Sequence, residues 1–395
     1  MMFKFIFFFS FLIVIYSYIG YGILLYLLVK IKRLFVVKNS LKVDPDFEPE
    51  ITLIVSAYNE ASIIEIKVRN SLDLDYPSDK LRLVFITDGS EDGTPAIISK
   101  YNRILLLHEE ERKGKLAAMN RAMKFVSTPY VIFSDANTLL NPESVNEIVK
   151  HYVDPRVGAV AGEKKILFKE KDKAVAAGEG IYWKYESLLK RLDSEFYSVV
   201  GAAGELFSIR TSLFHVVPAD TIIEDFVQSL KLCMEGWLVR YEPNAYAIES
   251  ASSSMQEEQK RKVRIAAGAF QAMLILKGLF NIFRYPVLSF QFISHRILRW
   301  TLCPVCLITG LISNVVLVYN NAGRLYFVVL LGQIVFYAMA LVGWIFARRN
   351  IKSKIFYIPY YFVFMNLSVF LGFYRFLGKK QTAVWEKADR HIHQK

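Results

Sequence analysis

Ile51-Thr-Leu-Ile-Val-Ser-Ala-Tyr-Asn-Glu60 is a β-branched apolar run that turns abruptly polar at its end. Such a run, bounded by turn formers, reads as a buried strand. The pattern recurs downstream. Leu81 to Thr87 ends in Asp88-Gly89-Ser90-Glu91-Asp92-Gly93-Thr94, and Tyr130 to Phe133 ends in Ser134-Asp135-Ala136-Asn137. A further strand is expected at Arg103 to Leu107, with helices over Asn59 to Leu72, Asp92 to Tyr101 and Gly114 to Val126. Strands alternating with helices predict an α/β fold whose mostly parallel sheet is covered on both faces. Ligands of such sheets sit beyond the C-terminal strand ends, so three polar strand ends would converge on one crevice. Asp and Gly also simply make turns, which accounts for any one of the three but poorly for all together.

Outward from this core the composition is mixed. The chain has 395 residues, 53% hydrophobic and 14% aromatic, which excludes disorder. Three cysteines exclude a disulfide-stapled scaffold, and 22% charged residues argue against a bundle wholly embedded in lipid. The apolar excess lies in four runs: Phe5 to Val29, Trp300 to Tyr319, Leu325 to Phe346 and Ile355 to Phe376. A bilayer crossing takes about 20 residues. Lys30, Lys32, Arg33 and Lys38 after the first run place the following domain in the cytoplasm, and Arg348, Arg349, Lys352 and Lys354 do the same for the last link. The fourth run holds Pro359, Asn366 and Arg375, so a re-entrant or interfacial placement competes with a full span. The expected organisation is an anchor over 1–29, a soluble domain over 30–269, interfacial amphipathic helices over 270–296, two or three spans over 297–378 and a basic tail over 379–395. Positive-inside topology accounts for the net charge of +12 better than a nucleic-acid partner does.

Several segments carry candidate chemistry. Arg112-Lys113-Gly114-Lys115, with Asn120 beyond, opens a helix with a glycine between cations, which suits a diphosphate. A solvated basic turn competes for Arg112 and Lys113. Ile223-Glu224-Asp225-Phe226 offers an acid pair at a helix start, where carboxylates also serve as ordinary first-turn residues. Gly201-Ala202-Ala203-Gly204-Glu205-Leu206 would let a ligand approach the backbone closely. Cys303 and Cys306 lie in an apolar run and read as small hydrophobes. Cys233 reads as core, the six histidines form no metal-ligand pattern, and Tyr182, Trp183 and Tyr185 read as packing first and acceptor groove second.

In this order, from about Ile51 to Gln271, these segments resemble the membrane-integrated family 2 glycosyltransferases, the group containing chitin, hyaluronan, cellulose and poly-N-acetylglucosamine synthases. The resemblance implies a GT-A-type, Rossmann-like nucleotide-sugar domain inserted between transmembrane helices. It also implies a nucleotide-diphosphate sugar donor, here expected to be a UDP-sugar, with Mg²⁺ or Mn²⁺ as cofactor and inversion of the anomeric centre. Ala57, Tyr58 and Glu60 stand in its nucleotide-binding turn, and Asp88 where an aspartate contacts the nucleoside. Lys115 and Asn120 stand in the segment that meets the nucleotide and its phosphates. Asp135 is the implied metal ligand, and Asn137 replaces the second aspartate of Asp-x-Asp. Asp225 is the implied catalytic base with Glu224 as its neighbour, and Gly201, Gly204 and Glu205 face the acceptor. Many processive members carry Gln-x-x-Arg-Trp, where the Arg contacts the diphosphate and the Trp floors the acceptor site. Here Arg261 and Ile265 flank a retained Arg264 in that frame.

The expected activity is transfer of a sugar to a growing polysaccharide by an integral protein of the inner or plasma membrane, its catalytic domain cytoplasmic. A single-addition transferase to a lipid-linked acceptor, such as a polyprenyl phosphate or diacylglycerol, and a catalytically silent nucleotide-sugar-binding subunit stand as alternatives. The expected partners are the nucleotide sugar, a glycan or lipid-linked acceptor and the bilayer.

Overall fold

The computed structural model describes residues 1–35, 47–167, 173–250, 254–349, 351 and 353–378. The expected basic tail over 379–395 lies outside them, as does the Tyr182 side chain. Two helices, α1 (Met2–Ile15) and α2 (Tyr21–Phe35), come first. The soluble domain follows with β1 (Ile51–Ala57), α3 (Ile64–Leu72), β2 (Leu81–Asp88), α4 (Thr94–Ile98), β3 (Ile104–Glu109), α5 (Lys115–Met123) and β4 (Tyr130–Asp135). It continues with β5 (Thr138–Leu140), α6 (Ser144–Val149), β6 (Val157–Leu167), α7 (Lys173–Phe196), β7 (Leu206–Arg210), α8 (Glu224–Met234), β8 (Leu238–Ser250) and α9 (Met255–Ile275). The last elements are α10 (Pro286–Phe292), α11 (Leu298–Trp300), α12 (Leu302–Tyr319), α13 (Arg324–Arg348) and α14 (Lys354–Leu377).

One eight-stranded sheet runs in the order β3-β2-β1-β4-β7-β6-β8-β5. Its first four strands pair in parallel, as the alternation predicts. The sheet is mostly parallel, as expected, since β6 and β8 also pair in parallel; β7 runs antiparallel to both β4 and β6, and β5 antiparallel to β8. The long strands β6 and β8 escape the apolar pattern because they carry charge. Glu163, Lys164, Glu242 and Glu249 are all buried there, and a buried charge is tolerated only when a partner elsewhere in the fold meets it.

The helix expected from Asn59 starts instead at Ile64. Asn59 takes a left-handed backbone with φ of 52°, its N–H donating to Ser90 Oγ (3.1 Å) and its Oδ1 accepting from the Glu91 N–H (2.9 Å). Residues 59–61 thereby stitch the first polar strand end to the second. The expected boundary at 269/270 falls inside α9, which Ser254 caps by accepting from the Glu257 N–H.

Four helices are long and apolar enough to cross a membrane: Met2–Phe35, Leu302–Tyr319, Arg324–Arg348 and Lys354–Leu377. The first contains a π-helical turn at Tyr16–Gly20, where the Ser17 carbonyl accepts from Arg299 Nε at 3.0 Å. The last forms a continuous helix despite Pro359 and packs on α9. A Cβ on Gly372 would collide with that of Ala266, so only glycine permits this crossing. Cys303 and Cys306 are buried, unbridged thiols.

A buried polar network ties these helices to the soluble domain. Tyr21 Oη donates to Asp193 Oδ1 (2.5 Å), and His295 bridges Asp193 Oδ2 (2.6 Å) and Glu186 Oε1 (3.1 Å). Arg296 and Arg299 close on Glu186 at 2.5 and 3.2 Å. Burial opposes the Glu186 charge, but Arg296, His295 and Arg299 outweigh it and hold the carboxyl well below its usual range. Removing one partner from such a cluster strands its counter-charges in a dry site, at a cost of about 3–5 kcal/mol. Glu186→Ala is therefore expected to lower the thermal midpoint of the purified full chain by many degrees. A midpoint unchanged from wild type would show that the network contributes nothing to cohesion.

Candidate functional site

The polar strand ends do meet. At the end of β2, Asp88 Oδ2 accepts the backbone N–H groups of Lys113 (2.9 Å) and Gly114 (2.6 Å), closing the basic turn onto the sheet. Gly89, at φ of 68°, is required there, since a Cβ would sit 2.5 Å from that of Arg112. The Arg112 guanidinium stacks 3.7 Å over the Tyr58 ring, joining this turn to the end of β1, where Ala57 is buried. Glu60 donates its N–H to Thr94 Oγ1 at 2.8 Å. Among the described residues, two buried acceptors in this group, Asp88 Oδ1 and Asn120 Oδ1, have no hydrogen-bond donor, although Arg121 Nη1 lies 3.7 Å from the former. Buried acceptors left this way are costly.

Gly114 caps α5 as the sequence suggests, and Lys115 opens it. The Lys115 ammonium reaches Asp135 Oδ1 at 2.6 Å and Glu224 Oε1 at 3.6 Å, bridging the end of β4 to the start of α8. Burial works against its charge, but Asp135 and Glu224 overcome it and raise its pKa above the usual lysine range. Asp225, half-buried beside them, is pushed up to about 7 by desolvation and by the charge of Glu224, with Lys115 opposing. Gly204 lies against both groups: a Cβ there would be 3.3 Å from Asp225 Oδ2 and 3.4 Å from Lys115 Nζ. Gly201, at φ of 88°, leaves room for the Phe226 ring. Arg264 stands near Glu224, Asp225 and Asp135, whose charges favour its own against the cost of burial.

Asn137 Oδ1 is buried without a hydrogen-bond donor, beside the Asp135 turn. Beneath that turn is a residue the sequence does not advertise. Lys67 is 1% exposed, and its Nζ donates to Ser134 Oγ (2.8 Å) and the Thr138 carbonyl (2.9 Å). Burial pushes its pKa down to about 7, with Asp135 acting the other way. Among the described residues no three His, Cys, Asp or Glu side chains gather as a metal site. The oxygens of Asp135 and Asn137 form a two-donor set, which suits a hard cation whose remaining ligands come from phosphate.

A cavity of about 490 Å³ opens from Lys115, Asp135, Glu224 and Asp225 toward the membrane helices. Gly201, Gly204, Glu205, Arg261, Arg264 and Ile265 also line it, while Ala57, Tyr58, Glu60, Asp88, Asn120 and Asn137 lie outside its wall. Glu205 pairs with Lys164, which also pairs with Glu249. Arg261 is held by Glu258 through two 3.0 Å hydrogen bonds. Two tryptophans stand on the wall: Trp183, which the sequence reads as packing first and acceptor groove second, and Trp300, which goes beyond the expected set. Trp183 has Lys262 and Lys164 at 5.5 and 5.8 Å from its ring, and Trp300 lies 5.3 Å from Phe226. Neither sits near position 265 in sequence, so no local motif marks them.

Comparison with known proteins agrees with this arrangement. Residues 52–217 match the model of Glycosyl transferase family 2. Poly-beta-1,6-N-acetyl-D-glucosamine synthase of Staphylococcus aureus (strain COL) is 29% identical over 252 residues, a match spanning 60% of this chain and 60% of that protein's length. The enzyme of the same name from Staphylococcus epidermidis is 24% identical over 367 residues, covering 86% of this chain and 87% of its own. The mannosyltransferase PcManGT from Pyrobaculum calidifontis, solved with GDP-Man and Mn²⁺, superposes with a TM-score of 0.70 at 23% identity, covering 94% of this chain and 99% of its own. That likeness bears out the expected GT-A fold. Residues 52–217, which carry the converged strand-end motifs, thus match the family 2 glycosyltransferase model, and the chain is similar to poly-N-acetylglucosamine synthases of that family.

Proposed function

We propose that this protein transfers a sugar from a nucleotide-diphosphate sugar, a UDP-sugar by preference, to a glycan acceptor at the membrane surface, with inversion at the anomeric carbon. One observation carries the reading. Asp225, a half-buried carboxyl whose pKa lies about 7, shares a cavity with Lys115, Asp135 and Arg264. A general base works best when its pKa lies near the operating pH, and cations beside it stabilise the charge that develops on a leaving diphosphate.

The donor's nucleoside lies against the Tyr58–Arg112 turn, within reach of the open acceptors Asp88 Oδ1 and Asn120 Oδ1. Ala57 and Glu60 shape that turn. Lys115, Arg264 and Arg261 bring positive charge to the diphosphate. Asp135 and Asn137 would hold a divalent cation, Mg²⁺ or Mn²⁺, which when bound supplies further charge neutralisation at the leaving group. Lys67 fixes the Ser134–Thr138 turn from below and so positions both donors. Asp225 takes the proton of the acceptor hydroxyl as that oxygen attacks opposite the departing diphosphate. Glu224 keeps Asp225 basic and anchors Lys115. Gly204 leaves space for the acceptor sugar beside Glu205, Gly201 seats the Phe226 ring at the cavity wall, and Trp183 and Trp300 offer the sugar aromatic faces where position 265 has isoleucine. The basic residues flanking the spans favour a cytoplasmic catalytic domain in the inner or plasma membrane.

The direct test is a screen of radiolabelled nucleotide sugars on membranes carrying the full chain, with products sized and extracted. Release of a nucleoside diphosphate coupled to glycan growth is expected, and no turnover of any donor would refute the proposal. Asp225→Asn should cut the rate roughly 10²–10⁴-fold with folding retained by circular dichroism. Because Asp225 acts only when ionised, the wild-type rate should rise with pH to a plateau above about 7. Glu224→Gln removes a charge that raises this pKa, so its acidic limb should move to lower pH. Identical limbs would detach Glu224 from the base. Chelation by EDTA should abolish turnover, and Asn137→Asp should restore it at lower Mn²⁺ concentrations than wild type needs. Full activity in EDTA would exclude the metal role.

A further inference from the structure

Lys190, on α7, has no role in the transfer chemistry above, yet it lines the same cavity at only 5% exposure. Among the described residues, no oxygen accepts a hydrogen bond from its ammonium. Its Nζ stands 5.8 Å from the Tyr241 ring centroid, and its charge opposes the burial that raises the Glu163 pKa. This seam between α7, β6 and β8 is under-bonded as a whole. Glu163 Oε1 accepts from Ser187 Oγ at 2.9 Å, but Glu163 Oε2 and Tyr241 Oη are buried and without a partner among the described residues. A nearly buried ammonium with no acceptor is costly. A ligand oxygen in the cavity would remove that cost.

Charge decides what kind of oxygen fits. Arg296 and Arg299 on the same wall are committed to Glu186, and Lys190 already faces the charge of Glu163. An anion would find no spare cation there, so the site suits a neutral acceptor such as a hydroxyl or an amide carbonyl. The helix then sets the scale. Trp183, Ser187 and Lys190 fall at i, i+4 and i+7 on one face of α7. Trp183 is half-buried and also lines the cavity, where its ring can take the C–H face of a sugar. Seven helical residues set Trp183 and Lys190 about 10 Å apart along the axis, which is longer than one sugar ring. We infer that α7 reads the acceptor as a neutral glycan of at least two sugars, one ring on Trp183 and an oxygen of its neighbour on the Lys190 ammonium. That this glycan receives the donor sugar rests on the transferase reading above; the glycan site itself does not.

The test uses the full chain in phosphatidylcholine nanodiscs, free of sugar-headed detergent. Equilibrium binding is measured for β-linked mono-, di- and tetrasaccharides of glucose and of N-acetylglucosamine, with digalacturonate as the anionic comparison. A neutral disaccharide should bind at least fivefold tighter than its monosaccharide, and Trp183→Ala should erase that advantage. Lys190→Met should weaken disaccharide binding at least tenfold, as for loss of a hydrogen bond to a charged group, with UDP binding within twofold of wild type. Lys190→Arg, which keeps the charge and the donors, should recover most of the affinity. Because Lys190→Met strands the Glu163 charge, the double variant Glu163→Gln/Lys190→Met repeats the measurement with both charges gone and should show the same loss. Wild type that binds no neutral saccharide, undiminished binding in both Lys190→Met proteins, or tighter binding of digalacturonate would overturn the site. Glycan binding that depends on Lys190 in a protein that turns over no nucleotide sugar would remove the transferase reading and leave this site standing. Turnover indifferent to Lys190→Met would do the reverse.

Discussion

Glu186 is the carboxylate on which the membrane helices and the soluble domain converge. It lies on α7 and takes His295, Arg296 and Arg299 from the segment that leads into α12. Through His295 and Asp193 the same network reaches Tyr21 in the first helix. Glu186, Asp193 and His295 are buried and the two arginines largely enclosed, so each needs the others in place. The consequence is geometric. The catalytic cavity is walled on one side by strand ends and on the other by Tyr18, Tyr361 and Asn366 of the apolar helices, and that second wall is held by this cluster.

Charge balance inside the cavity follows the same logic at a smaller scale. Asp135, Glu224 and Asp225 share Lys115 and the nearby Arg264. Lys115 pairs directly with the first two, while burial and the charge of Glu224 raise the pKa of Asp225. Basicity is thus created by position, since an aspartate has no tendency of its own to titrate near neutrality. Lys164 does the corresponding work at the other end, where it meets Glu205 and Glu249.

Much of the site is legible in the amino-acid sequence. The strand-end motifs around Tyr58, Asp88 and Asp135 stand out because an apolar strand that turns sharply polar delivers charge to the rim of a sheet, where ligands bind. Asp225 stands out as an acid beside a second acid at a helix start. What escapes are residues whose meaning depends on distant partners. Lys67 looks like a helix-surface cation, yet it is buried beneath Ser134. Trp300 looks like part of an apolar run, yet it lines the cavity, as does Trp183, for which packing is the first reading. The charged strands β6 and β8 hide from any search for apolar runs, which is why the second half of the sheet leaves so little trace in the pattern.

The sequence by itself determined the parallel strands β1 to β4, the four apolar helices and the candidate charged groups at the strand ends, because these follow from local periodicity and from residues adjacent in the chain. Only the tertiary structure decided which charge neutralises which and where the aromatic walls come from. Those outcomes depend on pairings between residues a hundred or more positions apart, such as His295 with Glu186 and Tyr18 with Asn366. Burial gives such pairings their energetic weight, and burial is a property of the assembled fold.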